Sequence, residues 1–270
     1  MKTAPLFFRM LLLAAAPLLT DCSLVKQAPL AAADLATTGT STEKPLTTGS
    51  QTDELDDYSE VSVGDPLEGF NRATFKMNDA LYTVFFRPVS KGYEFIFPKP
   101  LRSSLDNAFE NARYPVRFVN STLQGKFKRA GRETGKFFVN TIFGLGGLFK
   151  TSDKIPDLTD VPAEDTGQTL ATWHIPHGPY LVLPFFGPCT LRETAGMAGD
   201  YALNPVNWGL FWRKGGDWTR DWTAIPPAAN TVRSLPDQLA KYDAAIENSV
   251  DPYISARSTY IQNRNAAANE

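Results

Sequence analysis

Apolar side chains recur at helical spacing over residues 65–86. Drawn as a helix, this segment places five of them on one face: Leu67, Phe70, Met77, Leu81 and Val84. Asp65 is a favourable N-cap, Pro66 suits the first helical position, and Glu68 stands where a capping box places its acid. The pattern predicts an amphipathic helix with a wide apolar face.

The segments that follow predict further helices. Four prolines each open a segment of helical composition, as a helix N-terminus prefers: Pro88, Pro98, Pro100 and Pro115. Residues 126–142 predict another helix with basic residues on one side, and no alternating strand pattern of useful length precedes residue 160. The predicted fold class is therefore mainly α, with one domain over 63–265 and a frayed tail at 266–270.

A proline- and glycine-rich stretch interrupts this helical pattern at residues 164–196. Its four prolines and four glycines lie among large apolar side chains such as Tyr180, Val182 and Phe185. Proline fixes φ and removes a backbone donor, so no regular helix can run through the middle of the stretch. The stretch is nevertheless too apolar for a solvated loop. We predict that it forms the structural centre on which the flanking helices pack.

Residues 143–150 (FGLGGLFK) have two interpretations, and both stay open. The first is a helix C-terminus broken by glycine. The second is a flexible hinge at Gly144, Gly146 and Gly147, because glycine permits large changes in φ and ψ. In the second interpretation the apolar side chains of the segment contact lipid: Phe143, Leu145, Leu148 and Phe149.

The first 22 residues have the three-part layout of a secretory signal. Lys2 and Arg9 supply positive charge, and the apolar run at 10–19 ends just before Cys22. A membrane-spanning helix needs about 20 apolar residues, and no run in the chain reaches that length. We predict a signal peptide at 1–21, lipidation of Cys22, and a disordered tether over 22–62, which is rich in Ala, Thr, Ser, Gln and Gly.

One residue next to the lipidation site departs from the usual pattern. Asp21 stands where a small residue normally precedes a lipidated cysteine, so cleavage near residues 31–33 is the alternative. If Cys22 carries lipid, Cys189 is left as an unpaired thiol. If it does not, a disulfide between the two cysteines is the alternative in an oxidising compartment.

Tryptophan is concentrated near the C-terminal third of the chain. Trp208, Trp212, Trp218 and Trp222 lie among Arg213, Lys214 and Arg220. Tryptophan beside basic residues is typical of a membrane–water interface, although four tryptophans could also form a core. We predict that Trp208 and Trp212 face the membrane interface.

The composition and motifs argue against several classes of function. A formal net charge of -2 and the absence of a basic stripe give no reason to expect nucleic acid as a partner. His174 and His177 are separated by Pro176, and no HExxH, cysteine cluster or GxSxG motif is present. We predict that the protein is not an enzyme and uses no metal or cofactor.

Several long motifs, in order, resemble the MlaA/VacJ family of Gram-negative outer-membrane lipoproteins. They are DPLEGFNR (65–72), NSTLQGK (120–126), FFVNTIFGLGGLF (137–149), EDTGQTLATW (164–173), GPYLVLPFFGPCTLRE (178–193) and SVDPYISARSTY (249–260). The resemblance covers about 200 residues, nearly everything after the predicted tether. Thr166, His174 and Cys189 depart from the residues usual in the family.

The resemblance implies a ring-like helical domain that lies in the periplasmic leaflet of the outer membrane. It implies an amphipathic channel that removes phospholipids from the outer leaflet and passes them to a periplasmic carrier, beside a porin trimer. It also assigns Phe70 and Asn71, together with the glycines at 144, 146 and 147, to gating elements. A polar path for headgroups is required physically, and Gln168 and Thr169 are candidates to line it. The alternatives are a soluble periplasmic lipid-binding module and a structural lipoprotein that accompanies a porin.

Overall fold

The structure is a computed structural model that describes residues 63–211, 224–247 and 249–270. The predictions for the signal peptide, Cys22, the tether and Trp212 fall outside the described residues. Helices make up most of the described chain. This confirms the mainly α fold class.

The helices and strands follow one another along the chain with short connections. The first group is α1 (Glu68–Leu81), continued by a π-helical turn (Tyr82–Phe86), then α2 (Arg87–Ile96), α3 (Lys99–Ala112), α4 (Tyr114–Leu123) and α5 (Phe127–Ile142). Two short 3-10 helices (Thr151–Lys154 and Pro156–Leu158) lead to α6 (Thr166–Thr172), β1 (Tyr180–Leu183) and β2 (Gly187–Thr190). The last group is α7 (Leu191–Leu203), α8 (Pro205–Phe211), α9 (Ile225–Ile246) and α10 (Pro252–Asn269).

Proline opens several of these helices, as the sequence predicts. Pro100 and Pro115 lie in the first turns of α3 and α4. The first backbone amides of a helix have no intrahelical acceptor, so a missing N–H has little cost there. Pro88 does not open a separate helix, because α2 continues directly from the π-helical turn and the backbone N–H of Arg87 before it donates to the Tyr82 carbonyl.

The proline- and glycine-rich stretch contains a two-stranded antiparallel hairpin. Tyr180 pairs with Thr190 and Leu183 pairs with Gly187. Tyr180 and Val182 are 0% exposed and pack in one cluster with Phe75 of α1 and aromatic and aliphatic residues of α10. No helix runs through the middle of the stretch, and the flanking helices pack on it, so both predictions are confirmed.

Two asparagine side chains of α1 bind the free edge of β1. The Asn71 amide donates to the Tyr180 carbonyl at 3.0 Å and accepts from the Val182 N–H at 2.9 Å. One heptad later, Asn78 donates to the Leu183 carbonyl at 2.9 Å and accepts from the Phe185 N–H at 2.8 Å. Each side-chain amide thus replaces one peptide group of a missing third strand, which satisfies backbone groups that would otherwise be buried without partners.

The predicted helix cap at Asp65 is wrong. Helix α1 begins at Glu68 after Leu67, and no side chain caps it. The Asp65 carboxylate instead accepts from Asn71 Nδ2 at 2.7 Å and from the Tyr253 hydroxyl, and it lies 3.6 Å from Arg257. These partners on α10 and α1 fix the start of the domain by long-range contacts that a local capping pattern does not contain.

The predicted frayed tail at 266–270 is also corrected. Helix α10 continues to Asn269, and Ala267 within it is buried. The helix is held at this end by Arg264, whose guanidinium binds both oxygens of Asp165 at 2.7 and 2.9 Å and contacts Glu193. Asp165 in turn caps α6 through a capping box with Gln168.

We expect Asn71→Asp to destabilise the fold by about 2–4 kcal/mol, because it removes a buried donor and places a carboxylate beside the Tyr180 carbonyl and Asp65. Chemical denaturation followed by circular dichroism measures the change. Lys76→Ala on the exposed side of α1 is the matched control and should change stability by less than about 0.5 kcal/mol. Equal stability of the Asn71 variant and the control would show that the hydrogen bonds of Asn71 to the edge of β1 do not stabilise the fold.

We expect Arg264→Met to destabilise the fold by about 3–5 kcal/mol at neutral pH, because it leaves the partly buried Asp165 carboxylate without its hydrogen-bonded counter-ion. Glu193 loses one of its two cationic partners and keeps Arg192. Burial alone would raise the pKa of Asp165, but the Arg264 guanidinium holds it below its ordinary value. The wild type therefore loses this stabilisation as pH falls through the lowered pKa. In the variant the unpaired Asp165 carboxyl has a raised pKa, so acid favours its neutral form. The difference in unfolding free energy between the wild type and the variant therefore becomes smaller as the pH falls.

Chemical denaturation of both proteins at several pH values between neutral and acidic measures how this difference in unfolding free energy changes. The control is Arg87→Met, whose partner Asp243 lies in a more exposed ion pair. Its effect should stay below about 1 kcal/mol. A difference between the Arg264 variant and the wild type that widened in acid would contradict the assignment.

Candidate functional site

The described residues show an inverted distribution of apolar and polar side chains. Polar and charged residues outnumber apolar ones in the buried set, while many large apolar side chains are exposed. Helix α5 shows the arrangement clearly, because Glu133 and Asn140 are buried while Phe127, Phe138 and Ile142 are exposed. A soluble globular protein buries its apolar stripe instead. The inversion therefore indicates an apolar environment outside the protein.

The predicted membrane-facing residues of the glycine segment, residues 143–150, are mostly exposed. Phe143 is 70% exposed, Leu145 and Phe149 are exposed, and Leu148 is partly buried. Trp208 is also exposed, and its indole donates to the Ala202 carbonyl at 3.0 Å. Their contact with lipid stays a prediction that this exposure favours.

Further apolar side chains extend the exposed surface beyond those predictions. Phe95, at 91% exposure, and Ile96 lie at the end of α2, and Val84 lies in the π-helical turn before it. Phe70 of α1 is exposed as well, on the apolar face that the sequence predicts for this helix. Within the described residues, no helix combines the length and the hydropathy that crossing a membrane requires.

Charged side chains of α3, α4 and α9 form a cluster around Glu110. The carboxylate of Glu110 lies 3.9 Å from Arg113, 3.7 Å from Arg117 and 3.6 Å from Arg233 of α9. All three distances exceed the range of a hydrogen bond. We call these four residues the polar recess.

Glu110 lies closer to solvent than the three arginines of the polar recess do. Burial alone would raise the pKa of Glu110, but the guanidinium groups of Arg113, Arg117 and Arg233 lower it below the ordinary value. The side chain is nevertheless 43% exposed. Water therefore reaches the Glu110 carboxylate, whereas the side chains of the three arginines are only 10–11% exposed.

Other contacts hold the arginines of the polar recess in place. Arg117 Nε donates to the buried Glu133 carboxylate at 2.7 Å, and Arg117 NH1 donates to the Glu110 backbone carbonyl at 2.8 Å. Arg233 donates to Asp106 at 2.9 Å and to Asn230 at 2.9 Å, and it lies over the Phe109 ring. The cationic groups are therefore fixed, whereas Glu110 is the exposed member.

A lysine lies close to the recess on α5. Burial lowers the pKa of Lys136, and the nearby positive charges of Arg117 and Lys150 lower it further, against the opposite effect of Glu133. The positive charges of Arg117 in the recess and of Lys150 therefore disfavour the charged form of Lys136.

The glycine segment packs directly on α3, next to the recess. Helix α5 ends at Ile142, and the chain then turns through Leu145, Gly146 and Gly147, all with positive φ. This confirms the helix C-terminus broken by glycine. Asn111 touches Gly147, where an added Cβ would lie 2.6 Å from the Asn111 Cβ, and Asn107 donates to the Leu148 carbonyl at 3.2 Å.

The hinge interpretation of this segment stays a prediction, and the structure constrains how it can be tested. A Cβ on Gly144 would lie 2.2 Å from the Phe149 carbonyl oxygen, so no side chain fits there. A Cβ on Gly146 would meet nothing within 4 Å. Alanine at Gly147 therefore disturbs packing against α3, and Gly146 is the position at which stiffness can be changed alone.

The two predicted channel-lining residues lie in a packed network. Gln168 and Thr169 are both buried in α6. The Gln168 side chain accepts from the Asp165 N–H at 3.1 Å, and the Thr169 hydroxyl donates to Asn120 at 2.8 Å. They lie on α6, outside the polar recess, and a lining role for them stays a prediction.

The histidines and Cys189 do not form one reactive group. His177 bonds Asn265 at 2.7 Å, and burial lowers its pKa, while His174 lies exposed in a left-handed turn. Cys189 is a buried thiol whose pKa burial raises to about 11. Pairing with Cys22 lies outside the described residues. Among the residues the structure places, no group of three or more His, Cys, Asp or Glu side chains could hold a metal ion.

Sequence reasoning missed all four residues of the polar recess. A signal was present, because Glu110, Arg113 and Arg117 recur at the three- and four-residue spacing of one helical face. Pro115 obscured it, since α3 ends and α4 begins around Arg113. Arg233 lies on α9, and no local pattern connects it to the others.

Comparison with known proteins places the chain in one family. The profile of the MlaA lipoprotein family matches residues 63–267. The chain is 36% identical to the intermembrane phospholipid transport system lipoprotein MlaA of Shigella flexneri over 208 residues, which is 76% of this chain and 78% of that protein. It is 33% identical to the protein of the same name from Escherichia coli (strain K12), over 76% of this chain and 78% of that one.

A solved structure agrees with the sequence comparison. It concerns the structural basis for maintenance of bacterial outer membrane lipid asymmetry, and one of its chains matches with a TM-score of 0.60 and 31% identity. The match covers 76% of this chain and 100% of that chain. The inverted distribution of side chains thus occurs in a fold that this relative shares, and the chain belongs to the MlaA lipoprotein family.

Proposed function

We propose that the protein transports phospholipids and so maintains the lipid asymmetry of the outer membrane. In this proposal it takes phospholipids from the outer leaflet through a polar passage and passes them to a periplasmic carrier. The observation that carries the proposal is the inverted distribution, with large apolar side chains exposed and polar and charged side chains buried. The names of the relatives and the subject of the solved structure support the same role.

The exposed apolar surface supports a position within one leaflet. Side chains such as Phe95, Phe127 and Phe143 would lie in water if the domain were free in the periplasm. Burying a large apolar side chain is worth about 1.5–3 kcal/mol, so an apolar surface of this extent favours lipid over water. This disfavours the alternative of a soluble lipid-binding module. Lipidation of Cys22 and the tether at 22–62 would keep the domain at the membrane.

The polar recess supports the route for the headgroup. Pulling a 16-carbon acyl chain into water costs on the order of 13 kcal/mol at about 0.8 kcal/mol per methylene, and a charged headgroup in hydrocarbon is also costly. A protein that eases both steps needs lipid contact outside and a wet, charged path inside. Glu110 and its three arginines supply a cluster of charged side chains that water reaches at Glu110.

The partners follow from the same proposal. Phospholipids are the cargo, a periplasmic lipid carrier receives them, and a porin trimer holds the protein in the outer membrane. The protein acts without covalent chemistry in this scheme, so it needs no catalytic residue, metal or cofactor.

Deletion and complementation test the function. We expect that cells without the protein accumulate phospholipid in the outer leaflet and become sensitive to detergent, and that the wild-type chain reverses both changes. Chemical labelling of outer-leaflet phospholipid measures the effect. An unchanged outer leaflet in the deletion strain would refute the proposal, and an intact porin complex without lipid transfer would favour the structural alternative.

A single alanine tests the hinge at the glycine segment. Gly146→Ala adds a Cβ that meets no atom within 4 Å but restricts a residue with φ of +73°. Alanine in this left-handed conformation is strained by about 1–2 kcal/mol, so we expect lipid transfer to fall about five- to thirtyfold while the fold is kept. The control is Gly131→Ala in α5, where φ is not positive and the space is also open. If a folded Gly146→Ala variant transfers lipid at the wild-type rate, the hinge interpretation is wrong.

A further inference from the structure

The polar recess has an unusual division between fixed cations and a movable anion. Arg117 and Arg233 are each held by a hydrogen-bonded carboxylate of their own, Glu133 and Asp106 respectively. Glu110 faces three guanidinium groups at 3.6–3.9 Å and forms a hydrogen bond with none of them. A carboxylate that served only to hold the arginines would lie closer, since charge-assisted hydrogen bonds are about 2.7–2.9 Å long.

We propose that Arg113, Arg117 and Arg233 form a binding site for the phosphate group of a phospholipid, and that Glu110 is an intramolecular competitor for this site. The lipid source of the phosphate rests on the function proposed above. Glu110 occupies the site in the empty protein and turns toward solvent when the phosphate enters.

The shape of the site fits a phosphate better than a carboxylate. A phosphodiester presents its oxygens in a tetrahedral arrangement, which spreads them more widely than the two oxygens of Glu110. Such an anion can shorten the contacts to all three guanidinium groups through single charge-assisted hydrogen bonds, because Nε and NH1 of Arg117 and of Arg233 already have acceptors. The present distances of 3.6–3.9 Å leave room for that larger group.

The balance of charge permits the exchange. Asp106 and Glu133 each form a hydrogen-bonded ion pair with one arginine of the recess, and Glu110 lies within 4 Å of all three. A phosphodiester carries one negative charge, as Glu110 does, so replacing one by the other leaves the local charge unchanged. The 43% exposure of Glu110 gives its side chain solvent to enter.

Removing the competitor should therefore strengthen binding, which distinguishes this proposal from a purely structural ion pair. The experiment uses the full chain in neutral maltoside micelles, titrated with dihexanoylphosphatidylglycerol and followed by calorimetry. We expect Glu110→Gln to tighten binding by about threefold to fivefold, because the amide no longer competes for the arginines. Arg113→Gln should weaken binding by about tenfold.

Arg117→Lys provides a second test that protects the fold. It keeps a positive charge beside the buried Glu133 but loses the planar fork, so we expect about threefold weaker binding. The matched controls are Glu68→Gln and Arg72→Gln, an exposed ion pair on α1 that lies outside the recess. Neither control should change the affinity, and thermal melting of each variant checks that it is folded.

Three results would overturn the proposal. They are unchanged or weaker binding in a folded Glu110→Gln variant, an equal response of the Glu68→Gln control, and inorganic phosphate that binds as tightly as the lipid and responds equally to Glu110→Gln. The last result would assign the site to a soluble anion. If the wild type restores outer-leaflet composition but Glu110→Gln binds like the wild type, only this inference fails. If the binding changes occur but the wild type restores nothing, only the proposed function fails.

Discussion

The fold depends on the pairing of two asparagine amides with the edge of a short strand. Asn71 and Asn78 satisfy four backbone groups of the segment from Tyr180 to Phe185, so a two-stranded hairpin can lie at the centre of a helical protein without a third strand. The same pairing fixes the rotation of α1. Because its amide-bearing face turns inward, its opposite face, with Phe70 and Met77, turns outward.

That rotation connects the folding of the chain to its function. When the polar face of a helix is buried in internal hydrogen bonds, its apolar face is exposed. Helix α5 shows the same arrangement, because Glu133 is buried and Phe138 is exposed. Buried charges need partners, so the inverted interior is held by ion pairs such as Arg264 with Asp165 and Arg117 with Glu133. The domain thus combines an exposed apolar surface with a polar interior. Its contact with lipid, its placement in one leaflet and its route for headgroups are proposals.

The proximity of the glycine segment to the polar recess links movement with binding. Asn107 and Asn111 of α3 hold the glycine segment, and Glu110 of the same helix faces the arginines. A change in the glycine segment would therefore reach the recess through a single helix. In our proposals, the lipid-contacting surface, the hinge and the phosphate site therefore lie next to one another on α3 and the glycine segment.

The sequence alone determined what depends on neighbours along the chain. It predicted a mainly α fold, prolines at helix starts, a helix-free middle of the central stretch and the glycine end of α5, because these follow from φ restrictions and from spacing. Only the tertiary structure decided which distant groups meet. Asp65 does not cap α1 but accepts a hydrogen bond from the Tyr253 hydroxyl. Arg233 donates to Asp106, which lies 127 positions earlier in the chain. Ion pairs and buried amides are set by the packing of whole helices, and that packing has no local period to read.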